Sequence, residues 1–277
     1  MDKDIFGFID GYKDTKLFYR AWVSQENKAR IILLHGAGEY SEKYKRFAIW
    51  FFEKKIDVFS LDMRGHGRSG GPICHVNDFN DYAQDLDIFA TFIDKGWGKK
   101  STFLVSHSLG GLVAIFYAMN FSYDFKGIVL CSPCIKLKLK LQQLMSVLAR
   151  IFSKVLRDKP FASHIKPRMA THDKYIIKAF THDPLIHHVV TSSLYLQMIK
   201  TMDYVRAKAG NFTKPLLLLQ AGSDKICDAT AADNFYAANG SKDKAFKLYR
   251  GFYHELLNEI GKERVFEDIY VWIKKRC

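Results

Sequence analysis

Residues 106–110, Ser106-His107-Ser108-Leu109-Gly110, close the apolar run "TFLVSHS" and open the helix-like run "LGGLVAIFYAM". A serine at such a strand-to-helix junction sits in a strained backbone conformation with its hydroxyl presented, and its neighbours two before and two after must be small. Ser106 and Gly110 meet that steric demand, although the usual pattern is G-x-S-x-G. A nucleophilic serine also needs an imidazole to take its proton, a carboxylate to orient the imidazole, and backbone donors for the oxyanion. Asp224 follows the apolar run "PLLLLQAG" and His254 follows "AFKLYRGFY", so nucleophile, acid and base stand in the order Ser, Asp, His, each at a strand end. These three are the candidate triad of a serine hydrolase.

Other residues compete for roles or supply them. Asp228 precedes the helical run "ATAADNFYAAN" and reads as its N-cap, leaving Asp224 as the acid. His107 is too close to Ser108 along the backbone to turn its ring onto the hydroxyl, and is expected to line the pocket. His35-Gly36-Ala37-Gly38 is a small-residue turn after "ARIILL", which makes the backbone N–H groups of Ala37 and Leu109 the expected oxyanion pair. Arg64-Gly65-His66-Gly67-Arg68-Ser69 opens no P-loop helix and reads as a structural turn. Cys131-Ser132-Pro133-Cys134 is formally C-x-x-C, but with no second pair and no redox context it reads as a buried strand end. Cys227, three residues after Asp224, is either a pocket-wall thiol open to bulky maleimides or a buried, inert one.

Positioning such a triad requires a stiff frame. Seven runs read as strands: "LFYRAWV", "ARIILLHG", "DVFSLDMRG", "TFLVSHS", "GIVLCSP", "PLLLLQAGSD" and "AFKLYRG". Between them lie amphipathic or apolar helical runs such as "SEKYKRFAIWFFEKK", "DYAQDLDIFATFIDKG" and "RVFEDIYVWIKKR". The alternation implies an α/β fold with a mostly parallel, doubly wound sheet. At 277 residues and 48% hydrophobic, the chain is long enough for one such catalytic unit. No secretion signal or membrane span is evident, and five scattered cysteines fit a reducing compartment, so the expected location is cytoplasmic. The formal charge of +13 suits an anionic surface, yet no nucleic-acid motif accompanies it. Nothing in the sequence sets an oligomeric state.

Residues 135–212 break the alternation: they contain no convincing sheet strand, only helical and loop-like stretches. They are expected to form a helical cap (lid) over the sheet, with residues 1–134 and 213–277 as the core, because open α/β folds bind ligands at that edge. Between Cys134 and Lys159, seven cations (Lys136, Lys138, Lys140, Arg150, Lys154, Arg157, Lys159) face Asp158 alone. From about Leu141 onward an apolar stripe recurs at helical spacing, the pattern of a helix lying on an anionic bilayer or of one packed on the core.

Taken together, "HGAGEYSEKY", "DMRGHGRS", "SHSLGG", "THDPL", "LLLLQAGSDKICD" and "YHELLNE" make the chain resemble the monoacylglycerol lipase and lysophospholipase group (serine aminopeptidase S33-like) of α/β-hydrolases, over roughly residues 8–275. The resemblance implies the α/β-hydrolase fold with its cap inserted after the sixth strand of that fold, and hydrolysis of a single-chain acyl lipid without metal or organic cofactor. It also implies that Glu39, Lys43 and His107 stand near the substrate's polar head. Two departures stand out: Ser106 replaces the family's usual Gly, and Tyr40 replaces a frequent His, which bears on the head group. The same triad would serve another carboxylesterase, a thioesterase, a peptidase or an acyltransferase. A different class is a catalytically silent binding scaffold, which fluorophosphonate labelling would separate from an enzyme.

Overall fold

The computed structural model describes residues 3–24, 26–138 and 157–277. In chain order it contains β1 Lys3–Asp10, β2 Lys16–Val23, β3 Ala29–Leu34, α1 Lys45–Glu53, β4 Ile56–Leu61, α2 Asn80–Trp97, β5 Ser101–His107, α3 Leu109–Asn120 and β6 Gly127–Cys131. After these come β7 Pro160–Ala162, α4 Pro167–Ala170, α5 Lys174–His182, β8 Val189–Thr191, α6 Ser192–Ala207, β9 Leu216–Ala221, α7 Ala229–Ala238, β10 Lys244–Tyr249 and α8 Glu263–Lys274. Eight strands form one sheet in the order β1-β2-β4-β3-β5-β6-β9-β10. Only β2 runs against its neighbours; the remaining pairs are parallel.

The central strands are buried on both faces, which is why they read as unbroken apolar runs. In β3, Ile32 and Leu34 enter the layer that holds α2, α3 and α6, while Ile31 and Leu33 enter the layer under α1 and α8. Strands β9 and β5 divide in the same way, with Leu218 and Leu104 on one side and Leu219 and Val105 on the other. The chain runs from β3 to β4 on one side and then crosses to β5 on the other, so the sheet reverses its winding between β3 and β5. Ligand crevices of open α/β sheets form at the carboxyl ends of such strands. Register makes this concrete: Leu34 pairs with Ser106, so the segments that follow, 35–39 and 107–109, emerge side by side.

Two features depart from the sequence reading. Strand β1 was not among the seven expected runs. It is an edge strand whose Phe6 and Phe8 point outward, 65% and 58% exposed, while Ile9 is buried, so its two faces do not alternate apolar with polar. The insertion between β6 and β9 is also not wholly helical. β7 and β8 form a separate antiparallel ribbon, Pro160 opposite Thr191 and Ala162 opposite Val189, too short at three residues each to leave a pattern. Residues 141–155, where the basic apolar stripe was expected, lie outside the described residues.

Candidate active site

Ser108 stands between β5 and α3 at φ 51°, ψ −114°, a left-handed-side conformation that a non-glycine residue adopts only when its surroundings impose it. Its N–H donates to the Cys131 carbonyl at 3.2 Å, and its carbonyl accepts from Cys134 N–H at 2.9 Å and Leu112 N–H at 3.2 Å. The crowding that makes the turn demand small neighbours is measurable. A Cβ on Gly110 would lie 2.6 Å from the His35 carbonyl oxygen, and Gly110 N–H donates to that same oxygen at 3.1 Å. At the other flank, Ser106 is fully buried and its Oγ donates to the Val129 carbonyl of β6 at 3.2 Å. A hydroxymethyl group is therefore accommodated where the usual pattern has glycine, with its polar atom satisfied.

Asp224 follows β9 in a tight turn that its own side chain holds. Oδ1 accepts from Ile226 N–H at 2.8 Å and Cys227 N–H at 2.9 Å, while Oδ2 accepts from Gln220 Nε2 at 3.3 Å and receives His254 Nδ1 at 2.8 Å. Burial alone would push this carboxyl upward. The His254 ring and the two backbone N–H groups outweigh it and hold Asp224 below the usual carboxylate range. An ionised Asp224 makes Nδ1 the protonated nitrogen of His254, leaving Nε2 as the basic one. Asp228, the rival acid, caps α7 by accepting from Thr230 N–H at 3.0 Å.

The loop after β3 is braced by a buried polar cluster. Gly36 N–H donates to Glu39 Oε2 at 2.9 Å, and Tyr44 OH donates to the same oxygen at 2.6 Å. The Lys43 ammonium is paired with both Glu39 and Glu255 and lies 3.9 Å from the centre of the Phe180 ring. Burial and the neighbouring Glu255 raise the Glu39 carboxyl. For Glu255, burial also acts upward, but Lys43 and His107 bring the carboxyl well below the usual range. Leu109 begins α3, so its N–H has no acceptor within the helix. Ala37, in the loop after β3, and Leu109, at the first position of α3, thus follow neighbouring strands, with Gly110 N–H bonded to the His35 carbonyl between them.

Ser108, His254, Ala37, Glu39, Lys43 and Glu255 open onto one cavity, whose other walls include Ile165, Phe180, Ile186, Val189, Met198 and Ile226. Three expected pocket residues are directed elsewhere. His107 does not line this cavity: at the end of β5 its Nδ1 meets the Cys131 carbonyl at 3.1 Å, and its Nε2 faces Glu255 Oε1 at 3.7 Å. Tyr40 donates its hydroxyl to Asp183 Oδ2 of the insertion at 2.6 Å, so its phenol ties the two parts of the chain together. Cys227 is 1% exposed and does not line the cavity. A side-chain hydrogen bond with Cys134, together with burial, pushes its thiol well up, which makes it the inert alternative. Sequence reasoning missed Glu255 and Glu259, whose signal was charge inside the apolar stretch "YHELLNE". Glu259 accepts from Tyr253 N–H at 3.1 Å, His172 N–H at 3.0 Å and Thr171 Oγ1 at 3.1 Å, clamping the insertion to the loop that carries His254.

Among the described residues, two sets of donor atoms are close enough for a metal ion, Asp224 with Cys227 and His254, and Glu39 with His107 and Glu255. In the second, the Lys43 ammonium takes the place a cation would fill. In the first, both carboxylate oxygens are already committed to His254 and to backbone donors.

Residues 25–261 match the family described as serine aminopeptidase, S33. The monoglyceride lipase of Rattus norvegicus is 30% identical over 264 residues, covering 94% of this chain and 87% of that protein. Phospholipase YtpA of Bacillus subtilis is 30% identical over 249 residues, covering 89% of this chain and 95% of that protein. Among solved structures, Paleococcus ferrophilus monoacylglycerol lipase superposes with a TM-score of 0.85 at 24% identity, covering 94% of this chain and 99% of that one. A soluble variant of Saccharomyces cerevisiae monoglyceride lipase, in complex with a substrate analogue, gives 0.87 at 22% identity over 99% and 96% of the two chains. With its sheet order, strained serine turn and matched length, the chain belongs to the serine aminopeptidase S33 family of α/β-hydrolases.

Proposed function

We propose that this chain is a carboxylic ester hydrolase that cleaves a single-chain acyl lipid through Ser108, Asp224 and His254. One observation carries the reading: a strained serine and a histidine held 2.8 Å from a buried carboxylate open onto one cavity, lined by Glu39, Lys43 and Glu255 and by a larger number of apolar side chains. Ser108 Oγ attacks the ester carbonyl as His254 Nε2 takes its proton. The N–H groups of Ala37 and Leu109 receive the oxyanion, and the alcohol departs with the proton from His254. Water, deprotonated by the same imidazole, then attacks the acyl-serine and releases the fatty acid. Relatives named monoglyceride lipase and phospholipase support the substrate class.

Residues 135–212 serve as the lid in this reading, and their apolar residues Ile165, Phe180, Ile186, Val189, Val190 and Met198 hold the acyl chain. Unpaired cysteines favour a cytoplasmic setting. No described helix is long and apolar enough to cross a membrane. Peripheral contact with an anionic bilayer is supported by the exposed Lys159, Lys166, Arg168, Lys174 and Lys178 of the same insertion, which also exposes Tyr175. Lys136 and Lys138 are engaged elsewhere: Lys136 pairs with Asp228 at 3.3 Å and Lys138 donates to the Asp224 carbonyl at 3.4 Å. The test is fluorophosphonate labelling, with hydrolysis of 1-octanoylglycerol as the second readout. Wild type should label and turn over, whereas Ser108→Ala and His254→Ala should each lose about a thousandfold or more in turnover. Folded single variants that keep most of the activity would overturn the triad.

A further inference from the structure

We propose that Glu255 determines head-group specificity by placing a buried negative charge where the leaving alcohol must sit, so that the enzyme discriminates against acyl lipids whose head carries a phosphate. This rests on the ester-hydrolase reading above.

The leaving oxygen has to face the nitrogen of His254 that returns its proton, since the other ring nitrogen is held by Asp224 at 2.8 Å. Glu255 is the next residue, and both line the cavity together with Glu39 and Lys43. The rest of the head therefore falls among two carboxylates and one ammonium. Lys43 looks suited to a phosphate, but its ammonium is paired with both Glu39 and Glu255, lies against the Phe180 ring at 3.9 Å, and its side chain is only 3% exposed. Releasing it would strand two buried carboxylates. Glu255 has no comparable exit: its side chain is 3% exposed, Asn258 Nδ2 donates to its Oε2 at 3.0 Å, and its backbone N–H is held by the Ala170 carbonyl at 2.9 Å. His107 Nε2 stands 3.7 Å from Glu255 Oε1, leaving a donor beside that oxygen when the ring is protonated. A head rich in hydroxyl groups can donate to these carboxylates, whereas a phosphate offers only acceptors and like charge beside buried side chains. Juxtaposing like charges at a buried contact strongly disfavours the wrong partner.

The experiment compares 1-octanoylglycerol with 1-octanoylglycerol 3-phosphate as dissolved monomers at 0.15 M salt, which keeps lipid surfaces out of the comparison. Wild type should show kcat/KM at least about tenfold higher for the neutral ester, and Glu255→Gln should narrow the ratio about tenfold, with Glu255→Asp close to wild type. The ratio cancels any general loss of activity in a variant. Wild type that hydrolyses both esters equally well overturns the proposal while leaving the ester-hydrolase reading intact, and it does so even if Glu255→Gln fails to fold. An unchanged ratio in an active Glu255→Gln enzyme also overturns it. Hydrolysis of neither ester by wild type defeats the ester-hydrolase reading, and this inference with it.

Discussion

Asp224→Asn keeps the size of the side chain and should still remove nearly all activity, for a reason visible in its hydrogen bonds. Oδ1 accepts two backbone N–H groups, from Ile226 at 2.8 Å and Cys227 at 2.9 Å. In the asparagine variant the amide oxygen must stay there, because an NH2 group would face two buried donors with nothing to accept from. The NH2 then points at His254 Nδ1, which must become an acceptor, and the ring proton moves to Nε2. That is the nitrogen required to take the Ser108 proton. A wrong tautomer of this kind costs about 10³- to 10⁴-fold in turnover, or about 4 to 5.5 kcal/mol at 1.36 kcal/mol per tenfold. The assay is kcat/KM for 1-octanoylglycerol at pH 7.5 beside a thermal melt, which should move little since the backbone bonds survive. Asp228→Asn is the control: it alters the cap of α7 and the ion pair with Lys136 but makes no bond to His254, so activity should hold within about threefold at a stability cost on the order of 1 kcal/mol. A folded Asp224→Asn enzyme that loses less than about tenfold, or an equal loss in Asp228→Asn, would refute the reasoning.

Acid should weaken the fold well before it protonates most carboxylates. His35 accepts from Met63 N–H at Nε2 at 2.9 Å, and burial lowers its pKa, like that of His66, to about 3 from an ordinary 6.5. Below pH 6.5 the unfolded chain binds these two protons and the folded chain does not, so stability is full above 6.5 and is lost as pH falls toward 3. The slope should approach about 2.7 kcal/mol per pH unit near pH 5.5. His107, raised by Glu255 against burial, acts with the opposite sign near and above pH 6.5, so it bears on the upper end of the range and not on its acid end. Urea midpoints measured from pH 7 to 5.5 should fall accordingly, about half as steeply in His66→Gln; a flat profile contradicts the assignment. In the insertion between β6 and β9, replacing Lys166, Lys174 and Lys178 with Gln removes three exposed cations, worth together about 3 kcal/mol at an anionic surface. Co-sedimentation with phosphatidylserine vesicles should weaken about a hundredfold at low salt, and equal binding by wild type to phosphatidylcholine vesicles would rule out electrostatic docking.

What could be read from the sequence follows from burial and local chemistry. Strands β3, β5, β6 and β9 are buried on both faces, so their apolar runs are unbroken, and the chemical residues at their ends stand out. Ser108, Asp224 and His254 stood out as candidates for that reason: a parallel sheet delivers its strand ends to one edge, and the structure sets His254 on Asp224 and opens His254 and Ser108 onto one cavity. Edge strand β1 and the β7–β8 ribbon were not legible, since one has apolar residues on both sides and the other is three residues a strand. Direction of side chains was equally out of reach. Tyr40 and Asp183 meet across 143 positions of sequence and Lys43 and Glu255 across 212, contacts with no local signature. Local pattern reports what a residue can do and how its neighbours alternate. Which partner it does it with is decided only when loops from distant strand ends converge, and here that convergence sent Tyr40 to Asp183 of the insertion, His107 behind the pocket wall, Cys227 into the core, and Glu255 to the cavity wall beside His254.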